Sequence, residues 1–138
     1  MPDPYTSIAQ ADKEMQTRLA DVLELRASDP QQRAMLNAYL SELRLPSGAI
    51  ALDVGCGTGA VSRVLAEMPG VREVIGIDPS PVFIEKAREL GEGFPRLSFQ
   101  TADGLAVPFP DASFDLVGVR HLVLLLEGVR ESSRTRWK

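Results

Sequence analysis

Three carboxylates, each closing or following an apolar run, are the residues whose type and spacing could do chemistry. Ala49-Ile50-Ala51-Leu52 ends in Asp53, and Val54-Gly55-Cys56-Gly57-Thr58-Gly59 follows at once. Glu73-Val74-Ile75-Gly76-Ile77 ends in Asp78 with Pro79 behind it, 25 residues (78 − 53) after the first acid. Leu97-Ser98-Phe99-Gln100 leads to Asp103-Gly104. Behind the glycines come Val61, Val64, Leu65 and Met68 at helical spacing, so this segment reads as strand, tight turn, helix. Glycines suit such a turn because they tolerate positive φ and let the backbone approach a ligand closely. The segment has the form of a cradle for a nucleotide-type cofactor.

The glycines alone leave the cofactor open. Gly55-x-Gly57-x-x-Ala60 also satisfies the loose dinucleotide fingerprint, so a nicotinamide oxidoreductase stands as a rival, whereas a P-loop lacks its Gly-Lys-Ser/Thr. Asp53 discriminates. Two unit charges about 4 Å apart at an effective dielectric near 20 interact by roughly 4 kcal/mol. Toward a pyrophosphate that energy is a penalty; toward the ammonium of an amino-acid-bearing cofactor it is a gain. S-adenosylmethionine carries such an ammonium, a sulfonium and no phosphate.

On these residues the sequence resembles the class I S-adenosylmethionine-dependent methyltransferases, whose first motif is an acid followed by G-x-G-x-G. Asp53, Gly55, Gly57 and Gly59 match it, with Cys56 as a small filler between glycines. The resemblance implies S-adenosyl-L-methionine as cofactor. It gives Asp78, followed by Pro79, the ribose hydroxyls, and Asp103 the adenine amino group with Gly104 along the ring. Ser113-Phe114-Asp115-Leu116-Val117-Gly118-Val119 resembles the next strand, after which the family's catalytic loop begins. His121, the sole histidine, falls there as the candidate base or substrate contact, set against a packing role. The reaction implied is methyl transfer; short connections and the acidic balance of the chain favour a small-molecule acceptor over nucleic acid or protein.

The elements that must position these groups alternate strand and helix, which predicts right-handed crossovers and an α/β, Rossmann-like parallel sheet. Ligands of such sheets bind beyond the carboxyl ends of the strands, where all three acids fall. Ser80 caps and Pro81 opens a helix that Gly91 ends. Upstream, Met15, Leu19, Val22 and Leu23 form one helical apolar stripe, and Met35, Leu36, Tyr39, Leu40 and Leu43 another. Ser28-Asp29-Pro30 separates them as a stop and restart. The expected organisation is a helical segment over 1–46, a cofactor-binding domain over 47–126 and a polar tail over 127–138.

The family's sheet has seven strands; about four are expected here, because the tail lacks a strand pattern. This points to a truncated member, with Phe114–Val119 as an open edge inviting self-association. A net charge of −4 gives no general attraction to nucleic acid, and no apolar run is long enough to span a membrane. Cys56 is the only cysteine, so no internal disulfide forms; with no export signal read at the start, the cytoplasm is expected. No metal-ligand spacing is present. The alternatives to an active methyltransferase are a non-catalytic S-adenosylmethionine-binding module and the NAD-dependent oxidoreductase.

Overall fold

The apolar runs that end in the three acids become neighbouring strands of one sheet. The computed structural model describes residues 13–103, 114–119 and 122–125. Strand β1 (Ala49–Val54) lies between β2 (Val71–Asp78) and β4 (Leu116–Val119); β3 (Leu97–Thr101) flanks β2 and β5 (Leu122–Leu125) flanks β4. The order is β3-β2-β1-β4-β5, with the first four strands parallel. Helices α3 (Ala60–Ala66) and α4 (Pro81–Leu90) connect β1 to β2 and β2 to β3. After β3 the chain returns to the other side of β1, so the order reverses beside the carboxyl end of β1. Open parallel sheets hold ligands at such a reversal.

Alternate residues of the central strands feed two faces. Leu52, Ile77, Phe114 and Val117 pack on one; Ala51, Val71, Val74 and Leu116 pack with Val61 and Leu65 of α3 on the other. Each fully buried large aliphatic contributes about 1.5–3 kcal/mol. Helix α3 turns Val61, Ser62, Leu65 and Ala66 inward, while Val64 and Met68 reach the core only in part. Ser62 is thus a polar residue on a core face. At the opposite end of the sheet the Asp115 carboxylate accepts from Ile50 N (2.9 Å) while Asp115 N donates to Ile50 O (2.8 Å). This clamp adjoins the register shift between Ala49 and Ile50.

Helix α4 is built as its sequence indicates: Ser80 Oγ accepts from Phe83 N (3.2 Å), Pro81 occupies the first turn, and Gly91 N donates to Ala87 O (2.9 Å). Helices α1 (Lys13–Ala27) and α2 (Pro30–Ser41) meet at Asp29, whose carboxylate accepts from Gln31 N (3.3 Å). Helix α1 departs from its apolar stripe. Gln16 and Ala20 are buried, Leu23 and Glu24 are half-buried, and Met15 and Val22 face solvent. The helix is rotated because the surface beneath it offers hydroxyls and a guanidinium, which Gln16 and Glu24 meet.

The open edge expected at Phe114–Val119 is corrected by β5. Its backbone pairs antiparallel with β4, Leu116 opposite Leu125 and Val119 opposite Leu122. Antiparallel strands need only a two-residue connection, whereas another parallel strand needs a crossover of a dozen or more residues. Among the described residues the outer edge belongs to β5, and self-association loses the β4 edge as its basis.

Candidate ligand site at the glycine turn

Strand β1 delivers Asp53 to the rim, and the turn behind it adopts positive φ at Gly55 (70°), Gly57 (57°) and Gly59 (87°). Gly59 has a second constraint. A Cβ there would stand 2.5 Å from Phe99 Cζ, so both the left-handed conformation and the space demand glycine. The turn is fastened to β2 through Gly55 N and Cys56 N, both donating to Ile77 O (2.8 and 2.9 Å). Gly57 N donates to Asp78 Oδ2 (3.0 Å), and Gly59 N donates to Cys56 O (2.9 Å). Four amides of the turn are therefore bonded within the protein rather than aimed outward.

Asp78 is the fastener of the site. Besides Gly57 N it accepts from Ser80 N at Oδ1 (2.9 Å), and its main-chain oxygen accepts from Ala102 N (3.1 Å). One residue thus joins the glycine turn, the start of α4 and the end of β3. Asp53 is 2% exposed and Asp78 3%, each inside a parallel sheet end. Burial pushes the Asp53 carboxyl from 3.8 up to about 7; the Ser62 hydroxyl, donating to Oδ2 at 2.6 Å, opposes this, and the Asp78 charge adds to it. Burial, then the charges of Asp53 and Asp78, push the Cys56 thiol well above its usual range. Cys56 packs against Ile84, Ala87 and Phe99, so it is an inert filler rather than a nucleophile.

Helix α1 covers this rim. Leu23 Cδ1 lies 3.3 Å from where a Gly57 Cβ would stand, and the buried Gln16 accepts from Ser80 Oγ (2.7 Å). Glu24 accepts from Thr58 Oγ1 at one oxygen and from Arg63 at the other (2.5 Å), while a second Arg63 nitrogen donates to Thr58 O (3.0 Å). A cavity of about 840 Å³ opens beside the turn, bounded by Gly55–Thr58, α1, α2 and α3.

Asp53, Gly55, Cys56, Gly57, Gly59, Asp78 and Pro79 are brought together at one sheet end. Asp103 follows β3 on the same rim and is exposed. Gly104 and His121 lie outside the described residues, as does the tail. Among the described residues no group of three or more His, Cys, Asp or Glu is arranged to hold a metal ion. Sequence reasoning missed Ser62, Gln16, Glu24, Thr58 and Arg63. Ser62 was detectable as a hydroxyl on the core face of α3; Glu24 and Arg63 are 39 residues apart and meet only through tertiary packing.

A family model for the methyltransferase domain matches residues 51–133. The chain belongs to the methyltransferase-domain family. Like this methyltransferase-family chain over 97 residues, at 36% identity, is the 2-phytyl-1,4-naphtoquinone methyltransferase of Thermosynechococcus vestitus, with 67% of this chain and 43% of that protein covered. The demethylmenaquinone methyltransferase of Bacillus licheniformis is 33% identical over 109 residues, covering 75% of this chain and 47% of its own. Among solved structures, a SAM-dependent methyltransferase from Aquifex aeolicus superposes with a TM-score of 0.59 at 25% identity, over 79% of this chain and 56% of that one. The chain spans under half the length of these two curated relatives. No helix among the described residues is long and apolar enough to cross a membrane.

Proposed function

We propose that this chain binds S-adenosylmethionine at the rim formed by Asp53, the Gly55-Cys56-Gly57-x-Gly59 turn, Asp78, Pro79, Asp103 and Gly104, as the cofactor half of a small-molecule methyltransferase. The observation that carries the reading is the donor set. The glycine turn keeps the amides of Gly55, Cys56, Gly57 and Gly59 for internal bonds and presents two carboxylates on adjacent strands. Such a site suits a ligand with a cationic end and hydroxyls. It disfavours a pyrophosphate, which would meet like charge at the two carboxylates. The NAD reading is weakened on the same ground.

When bound, the cofactor supplies an already activated methyl group. The protein's own contributions are orientation and exclusion of water. Asp53 pairs with the ammonium, held in place by Ser62. Asp78 accepts from the ribose hydroxyls while keeping the turn on β2. A base is required only for an acceptor that must lose a proton, and His121 is the residue proposed for that duty. The acceptor is proposed to be a quinone-type small molecule, because the two curated relatives above are named as quinone methyltransferases. The cytoplasm is proposed as its compartment, which cell fractionation tests.

Calorimetric titration with S-adenosylmethionine, S-adenosylhomocysteine and NAD tests the binding claim: the first two bind, and NAD does not. Binding of NAD alone ends it. Transfer of label from methyl-labelled donor to a panel of reduced quinones and other metabolites then tests competence. A second reading is a binding module without turnover of its own. Its signature is affinity for both adenosyl ligands with no labelled product.

A further inference from the structure

Helix α1 raises a conflict that the binding reading must resolve. The carboxylates proposed to receive the ligand are 2% and 3% exposed, and α1 lies over the elements beside them, with Gln16 on Ser80, Leu23 against Gly57 and Glu24 on Thr58. At the turn itself, a hydroxyl (Thr58 Oγ1) and a guanidinium (Arg63) converge on one anion, and the anion is the side chain of Glu24. Both oxygens of that carboxylate are engaged, one by each donor. Arg63 is braced for the task by its bond to Thr58 O, and the side chains of Arg63 and Glu24 are only 18% and 24% exposed. Charge-assisted contacts of this kind favour a carboxylate over any neutral group.

We propose that Thr58 and Arg63 form a carboxylate-binding site and that Glu24 fills it as an internal stand-in for the carboxylate of the incoming ligand. The inference rests on the S-adenosylmethionine reading, whose aminoacyl end carries an ammonium for Asp53 and a carboxylate that needs such a partner. Seating of α1 and seating of the ligand are then mutually exclusive. The helix is an autoinhibitory strap rather than a lid that closes on its guest. A ligand binding only the released state has its apparent affinity reduced by the fraction of chains in which α1 is off.

Hydrogen exchange and calorimetry on the full chain test this with S-adenosylhomocysteine as the probe. Glu24→Ala keeps a good helix former while removing the anion. In the ligand-free chain it should speed exchange of the Lys13–Ala27 amides about tenfold, and it should tighten binding of the probe about tenfold. Arg63→Met should speed the same exchange but weaken binding, since it removes the site as well as the strap. Probe added to the wild-type chain should speed exchange in α1. Slower exchange in α1 with the probe, or equal or weaker binding by Glu24→Ala, overturns the stand-in and leaves the cofactor reading intact. If neither wild type nor Glu24→Ala binds the probe, the cofactor reading itself falls and takes the stand-in with it.

Discussion

The strand-end rim and the helix that covers it meet at the same glycine turn, and each holds it with a carboxylate. Asp78 holds it from β2 by accepting main-chain amides on either side of the site, Gly57 N and Ser80 N. Glu24 holds it from α1 by side-chain contacts alone, to Thr58 and Arg63. The rim sits over buried Leu52, Ile77, Phe99 and Ile84, whereas α1 buries Gln16 and Ala20 and leaves Met15, Val22 and Leu25 (73%) exposed. Main-chain anchorage on a packed core makes a fixed frame. Side-chain anchorage on a sparse interface makes a part that can leave, because opening it breaks few apolar contacts. The difference separates the half of the site that defines its shape from the half that regulates access.

Breaking the frame should have the largest effect. Gly59→Val adds a branched side chain at φ 87°, into space already held by Phe99, and should destabilise the fold by more than about 4 kcal/mol in denaturant titration. Acidity acts on the same frame through Asp53. Between pH 3.8 and about 7 the folded chain keeps a proton on this carboxyl that the unfolded chain has lost. Stability therefore falls as pH rises through that window and levels off above it, by up to about 4 kcal/mol. Asp53→Asn should flatten the contribution, which melting curves across the window will show. A cationic ligand end favours the ionised form, so binding near pH 6 should release a proton, visible as heats that vary with the buffer's ionisation enthalpy.

Asp78→Ala strikes frame and ligand together, because the same carboxylate holds Gly57 N and Ser80 N. It removes a charged acceptor and should cost roughly 1.5–3 kcal/mol of S-adenosylhomocysteine affinity by calorimetry. Unchanged affinity in a well-folded variant refutes its assignment to the ribose. The smallest effect belongs to the cover: Leu25→Ser should change unfolding stability by less than about 0.5 kcal/mol, given its exposure.

The frame was legible in the chain because its instructions are local. Apolar runs ending in acids, a glycine turn, and a Ser-Pro start to α4 each act within a few residues, and the resulting elements appear where they were expected. The strap was not legible. Apolar periodicity placed Met15 and Val22 inward, yet the surface under α1 is partly polar, and the helix presents Gln16 and Glu24 to it instead. Strand β5 escaped for another reason. Leu122–Leu125 is a continuous apolar run without alternation, and such a run does not announce which neighbour it will pair with. Ser62 escaped because helical spacing was counted on apolar residues alone.

One ring ties three distant stretches of the frame into a single unit. Phe99 occupies the space over Gly59 and Gly76 and crowds Gly91, so a Cβ at any of these would meet it within 3.1 Å. Mutational effects at these four positions will not add. A bulkier residue at 76 becomes tolerable only with a smaller one at 99, whereas 59 stays glycine whatever stands at 99 because its backbone is left-handed, and homologous chains should show sites 76 and 99 changing together or not at all.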